Sequence, residues 1–262
     1  RRSSDLHQDG SLGWIGIAIA EASVPTTFLL VALMTLIELA GPWLFEIRTG
    51  NTAPWHAHHI AERYGLLTII ALGEGVIGTV ASLSAVITAQ GWSVDAVLVA
   101  VAGTGLTFGM WWIYFVVPSA HLLHAQRRKA IPFGYGHIAV FSSIVATGAG
   151  LHVAAYYIEH QSTLGSVATV LSVAIPVGIY IVSVYLLYLL LVGGRDSFHA
   201  LMMALTAAVL AGAVWLAATG VSMAVCLLVI MLAPVVTVVG FELFGHRHAA
   251  EALARRLGDG PQ

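Results

Sequence analysis

The stretch His56-Ala57-His58-His59-Ile60-Ala61-Glu62-Arg63-Tyr64-Gly65-Leu66-Leu67-Thr68-Ile69-Ile70-Ala71-Leu72-Gly73-Glu74-Gly75-Val76 decides how the chain is read. It passes from a cluster of imidazoles and charges into a long apolar run that carries one carboxylate, Glu74, inside it. An apolar helix of ~20 residues crosses the ~30 Å hydrocarbon layer of a bilayer. Upstream, Asn51 or Thr52 followed by Pro54 reads as a helix cap with proline in the first turn. The helix is therefore expected to begin near Ala53 and to run on through Glu74, longer than a bilayer needs. Its first three turns, which hold the histidines, then lie at the membrane interface.

The rest of the chain agrees with this reading. Of 262 residues, 58% are hydrophobic and 9% charged, whereas a soluble domain carries about 25% charged residues to cover its surface. Apolar runs at roughly 26–46, 64–86, 94–117, 137–158, 167–192, 198–218 and 221–244 predict seven membrane-spanning helices. Turn signals at Thr49-Gly50-Asn51-Thr52, Gly91, Pro118, Gly193-Gly194 and Thr219-Gly220 separate them. The runs do not alternate polar and apolar residues, which argues against a β-barrel. The expected fold class is all-α, a polytopic transmembrane helix bundle forming a single integral-membrane domain over residues 1–262. A short tail at 245–262 follows, with Ala249–Leu257 reading as an amphipathic surface helix. Pro176 and Pro234 fall inside spans and are expected to kink them.

The basic residues set the orientation. Arg48, Arg63, Arg127, Arg128, Lys129, Arg195, Arg247, Arg255 and Arg256 all fall at one end of the predicted bundle. The loops at 87–93, 159–166 and 219–220 contain no Lys or Arg. The positive-inside rule makes the basic end, and with it the C-terminus, cytoplasmic. Arg1 and Arg2 join that side if the run at 12–23, ended by Pro25, is a further crossing that forms a tight hairpin with the next helix, so eight crossings are the favoured reading of the seven to eight spans. The alternative is a re-entrant half-helix. Arg1-Arg2-Ser3-Ser4 and the run behind it show no signal-peptide cleavage pattern. Cys226 is the single cysteine, so neither a disulfide framework nor a thiolate zinc cluster is expected.

Three carboxylates, Glu21, Glu38 and Glu74, fall inside apolar runs. An acidic side chain at bilayer depth costs roughly 3 kcal/mol on insertion scales, so each needs a partner or a wet cavity. Each reads either as part of an ion, proton or ligand path or as a hydrogen-bonded joint between helices. Glu74 is the strongest candidate, because Gly73 and Gly75 allow another helix or a substrate to approach its carboxylate. At about 100° per residue, His56, Arg63 and Glu74 fall on nearly one line, with Leu67 and Ile70 between them. Arg63 and Glu74 are about 16 Å apart along the axis, too far for an ion pair. The stripe either lines a pathway or is the packed side of the helix.

His56, His59 and Glu62 stand at one-turn steps, a spacing that lets imidazole and carboxylate share a divalent cation. Over six residues the direction drifts by about 120°, so one helix cannot aim all three at one ion. Completing a site would need ligands from elsewhere, such as His137 or His152. The alternative is that His59 and Glu62-Arg63 tie the helix start to loops and lipid headgroups. Trp111-Trp112 and Tyr114 suit an aromatic belt, and His121, His124 and Arg127 to Lys129 suit a headgroup-facing loop. His152, near Gly148 and Gly150, reads as a structural hydrogen bonder or a ligand. No nucleophile elbow, phosphate loop, dinucleotide fingerprint or selectivity filter is present, and no basic soluble domain that would bind nucleic acid.

The segment His56-x-x-His59-Ile60-x-Glu62-Arg63-Tyr64-Gly65-Leu66, continuing gap-free through Gly73-Glu74-Gly75-Val76, resembles the signature of the bacterial low temperature requirement A family. Trp111-Trp112-x-Tyr114-Phe115 and Tyr135-x-His137 resemble further family positions. Two departures stand out. Val116 occupies a place where the family often has an acidic residue, and the family's usual opening segment, acidic and rich in phenylalanine, is not seen. The resemblance therefore implies the C-terminal two thirds of a longer protein, with partners for Glu38, Arg63 or Glu74 on preceding helices. It implies a bacterial cytoplasmic membrane but no defined activity.

The residues expected to line a ligand or ion pathway are Glu74, Arg63, His56, His59, Glu62 and Glu38, with Trp112, Tyr114 and His137. No catalytic residue or metal ligand is assigned and no cofactor is expected. The leading expectation is a transport protein for an ion or small solute, with the lipid bilayer as its partner and the oligomeric state open. A metal-dependent membrane enzyme acting on lipid-like substrates is one alternative, and a non-catalytic receptor or scaffold is another.

Overall fold

The computed structural model describes residues 14–19, 22–49, 56–126, 129–192 and 197–245. The chain divides into two compact units, Arg1–Trp55 and His56–Gln262. In the first, residues 14–19 are helical and helix α1 spans Val24–Thr49. Trp14 Nε1 donates to Glu38 Oε1 at 2.6 Å, so this in-span carboxylate holds two segments of the unit together. Glu21 lies outside the described residues, as do Asn51 to Pro54 and the tail helix at 249–257. The helix expected to begin near Ala53 begins instead at Ala57, because His56 before it is extended (φ -106, ψ 118) and occupies the cap position.

The second unit contains α2 (Ala57–Gln90), α3 (Val94–Phe115), α4 (Ser119–Ala125), α5 (Ala130–Ile158), α6 (Ser166–Val192), α7 (Ser197–Ala218) and α8 (Met223–Gly240). A π-helical turn, Phe241–Gly245, follows α8. Among the described residues of the whole chain, seven helices are long and apolar enough to cross a membrane, matching the seven apolar runs. At 34 residues, α2 is about 51 Å long at 1.5 Å per residue. It therefore outreaches the hydrocarbon layer, as its sequence predicts. Gly91 terminates it at φ 72 with its N–H on the Ile87 carbonyl, a left-handed cap that glycine adopts without steric cost. Ser93 then caps α3 by accepting from the Ala96 N–H at 3.3 Å, with Asp95 in the first turn, where the helix dipole favours negative charge.

Six long helices close a ring in the packing order α3, α2, α5, α6, α7, α8 and back to α3. Contacts of α6 with α3 and α8 run across the ring, and Tyr180, Val177 and Leu191 of α6 are fully buried. Large side chains such as Ile70, Phe108 and Trp215 point outward at 64–72% exposure, as expected where the surroundings are lipid. In such surroundings helices associate by close packing of small residues and by hydrogen bonds rather than by a hydrophobic driving force. Both devices join α2 to α5. Ser82 Oγ donates to the Leu151 carbonyl at 2.7 Å, and a methyl group at Gly78 would lie 2.7 Å from the Gly148 carbonyl oxygen. Pro234 lies inside α8 against Gly109, where a methyl group would lie 2.9 Å from the proline ring.

Helix α4 has no counterpart among the predicted spans. Pro118 stops the preceding helix, and Leu122 and Leu123 of α4 are buried at 6% and 0% exposure. Those two leucines dock the helix against α2 and α6. The segment read as a headgroup-facing loop is thus partly a packed element of the bundle.

Candidate functional site

Helix α2 presents two faces with different chemistry. The inner one carries Thr68, Gly75, Thr79 and Ser82, all buried. The hydroxyls of Thr68 and Thr79 return to the carbonyls of Tyr64 and Gly75 one turn back, at 2.8 and 2.6 Å. Polar side chains are thereby satisfied within the apolar interior. A methyl group at Gly75 would lie 2.6 Å from Thr107 Oγ1 of α3, so this glycine of the expected Gly-Glu-Gly motif admits a neighbouring helix. Gly73 meets nothing within 4 Å.

At the basic end of the bundle three helices converge on His137 of α5, which is 1% exposed. Its Nδ1 lies 2.7 Å from the Phe133 carbonyl oxygen. A carbonyl only accepts, so Nδ1 carries the hydrogen; Nε2 of the neutral ring then accepts from the Tyr114 hydroxyl of α3 at 2.8 Å. Tyr64 of α2 stacks on the same imidazole with ring centres 4.3 Å apart, and Phe133 meets it edge-on at 4.4 Å. Gly134 leaves the space this needs, since a methyl group there would lie 2.7 Å from Tyr64 Oη. Deeper in the bundle, Tyr180 of α6 donates to the Met110 carbonyl at 2.5 Å. Sequence reasoning named Tyr114 and His137 separately but missed Tyr64 and Thr68. Their spacing of one helical turn was visible, whereas the partner helix was not.

Arg63 and Glu74 are exposed on the outer face of α2, with Leu67 and Ile70 exposed between them. His56, also exposed, is the extended cap residue before the helix, so the expected line from His56 holds as helical geometry only from Arg63 to Glu74. Glu74 is near the middle of the helix. A methyl group at Gly148 of α5 would lie 2.8 Å from both the Glu74 backbone and its Cβ, so the base of the side chain is clamped at the α2–α5 crossing. Its carboxylate has no hydrogen-bond or ion-pair partner among the described residues. His59 Nδ1 and Glu62 Oε2 are 3.8 Å apart, with both side chains largely exposed, an arrangement of little energetic weight. No three metal-ligating side chains among the described residues are disposed around one point as they stand. His137 is committed to Tyr114 and Phe133, and His152 is half-buried on α5.

Trp112 is separated from Tyr114. Its Nε1 donates to Glu242 of the π-helical turn at 3.1 Å, and it borders an apolar cavity of about 70 Å³ lined also by Tyr185, Tyr188, His199 and Met202. The ring of His199 stacks on both tyrosines at 5.2 and 5.0 Å. The nine site candidates therefore fall into four places: the outer face of α2, the buried His137 cluster, the cavity beside Trp112, and Glu38 in the first unit.

Residues 9–234 match the family model described as bacterial low temperature requirement A protein. The chain belongs to the bacterial low temperature requirement A family. The match runs from before α1 into α8, ending at residue 234, so the outer face of α2 and the His137 cluster both lie within the family region. No curated protein and no solved structure matches the chain.

Proposed function

We propose that this low temperature requirement A protein transports an ion or small solute across the bacterial cytoplasmic membrane, with Glu74 as the carboxylate that takes up and releases the proton or cation. The observation that carries this reading is an unpartnered carboxylate at mid-span, anchored at its base against Gly148. An acid at that depth costs roughly 3 kcal/mol unless it is protonated, paired or hydrated, and exchange among those states is what coupling to an ion requires. Arg63 and the histidines at the helix start supply a polar approach from the cytoplasmic end. The buried Tyr114–His137 pair fixes the helices around it. Reconstituted into proteoliposomes under a proton or cation gradient, the protein is expected to support flux that Glu74→Gln abolishes while the variant remains folded. Flux of wild-type size in Glu74→Gln removes Glu74 from the mechanism.

The outward direction of the stripe favours a second reading, a receptor or scaffold that docks another membrane helix over Glu74. Wild-type protein that moves no ion, together with a Glu74-dependent complex in cross-linking, selects that reading. A metal-dependent enzyme draws the least support, because no three metal-ligating side chains among the described residues are disposed to hold one ion.

A further inference from the structure

We propose that His152 of α5 is the group with which Glu74 exchanges its proton, the two side chains meeting across the α2–α5 seam. The inference deepens the transport reading and rests on it for the use of the pair, while the pairing itself can be tested without flux. A Cβ at Gly148 would lie 2.8 Å from that of Glu74, so Gly148 marks the level on α5 at which the Glu74 side chain leaves its helix. His152 follows Gly148 by four residues, and Cβ atoms at that spacing share a face about 6 Å apart. The two steps together leave the Cβ atoms of Glu74 and His152 no more than about 9 Å apart. Two side chains that each reach about 3.5 Å beyond Cβ, joined by a hydrogen bond of ~2.8 Å, span roughly 10 Å. The Cβ of a helical residue leans toward the N-terminus, which carries the imidazole back along α5 toward Gly148 and Glu74.

A pair explains more than two unrelated polar residues would. Neither side chain has a hydrogen-bond or ion-pair partner among the described residues as it stands. Glu74 is exposed and His152 half-buried, which leaves both free to make the rotation that joins them. No other base is in reach. Beyond Arg63, α2 has no further basic side chain, and α3 and α6, which pack on α2 and α5, have none. On α5 the next imidazole, His137, is committed to Tyr114 and Phe133. An isolated carboxylate is costly in hydrocarbon, and an adjacent imidazole relieves that cost in either protonation state. When the Glu74 carboxyl gives its proton to the free ring nitrogen of His152, carboxylate and imidazolium remain as an ion pair. The reverse transfer restores two neutral groups, with only O–H and N–H bonds made and broken. Tyr156 and Glu159 follow His152 by about one and two turns and are exposed, leading on to the end of the bundle whose loops carry no Lys or Arg.

The test combines magic-angle-spinning NMR of the full chain in lipid bilayers with proteoliposome flux. In wild type a dipolar contact between the Glu74 carboxyl carbon and a His152 ring nitrogen is expected, each signal being assigned by its loss in Glu74→Gln or His152→Gln. The His152 nitrogen signals should shift in Glu74→Gln, whereas those of His137 stay in place. Flux should fall at least tenfold in His152→Gln and recover in the exchanged pair Glu74→His/His152→Glu, with helicity and elution profile checked for each variant. Absence of the contact in wild type overturns the pairing whatever the variants do. Flux lost in Glu74→Gln but kept at wild-type level in His152→Gln also overturns it, and leaves the transport reading intact. The contact and the Glu74-dependent shift in protein that moves no ion support the pair and overturn the transport reading.

Discussion

The two faces of α2 make an instructive comparison, because one helix sets both and the same bilayer surrounds both. On the inner face the hydroxyls of Thr68 and Thr79 bond back to their own helix, Ser82 bonds across to α5, and Tyr64 stacks on an imidazole that is itself held by Tyr114. On the outer face, His56, Arg63 and Glu74 stand exposed. Glu74 lies only about 120° around the axis from Thr68. A hydroxyl can satisfy itself on the carbonyl one turn back, but a carboxylate accepts and has no donor to give when ionised. The hydroxyls that bond within the bundle are packed in it, whereas the Glu74 carboxylate has no such partner among the described residues.

Breaking the outer face should have the largest functional effect and little structural consequence. Glu74→Gln is expected to reduce proteoliposome flux to background while leaving the melting temperature within a few degrees of wild type, since the amide keeps the shape at Gly148. A large fall in melting temperature with flux retained per folded molecule would reverse the assignment of roles between the two faces.

Disturbing the contact beneath both faces comes next. Gly148→Leu forces a side chain into the space where even a methyl group lies 2.8 Å from the Glu74 backbone. Overpacking of this kind costs typically 1–3 kcal/mol, and more where backbone is the obstacle. Thermal unfolding in detergent is expected to show a clear loss, graded from Gly148→Ala to Gly148→Leu.

The inner face is sharpened by a cycle. Tyr114→Phe leaves the Nε2 of His137 without its donor, at a cost of about 1–3 kcal/mol for a buried unsatisfied group. His137→Phe removes the acceptor instead. The double variant is expected to be less destabilised than the sum of the two, as it is for groups that act as a unit. Strict additivity in the unfolding data would mean that the phenol and imidazole are not coupled. The smallest effect is expected at Trp112→Phe, where an exposed hydrogen bond to Glu242 is lost; a change within about 0.5 kcal/mol is expected.

Much of the protein was legible before any coordinates. The spans followed from run length and the break at Pro118 from its chemistry, and the shared face of Arg63 and Glu74 followed from helical periodicity. The family stretch was visible as well. The membrane imposes these features residue by residue: every backbone group must bond within its own helix, and every crossing needs the same apolar length. Helix α4 was not legible, because two leucines in a polar stretch signal burial only once a neighbour exists to bury them. Nor was the meeting of Tyr64, Tyr114 and His137, which come from three helices separated by long segments of chain.

The sequence by itself determined that α2 is a long amphiphilic spanning helix, and which residues share each of its faces, since both depend on local geometry. Only the tertiary structure decided which face turns inward. It put Thr68 in the core, half-buried Tyr64 against His137 and left Glu74 outside against Gly148. Those outcomes depend on which helices touch, and that is settled by the summed packing of small residues and hydrogen bonds over the whole ring rather than by any one segment.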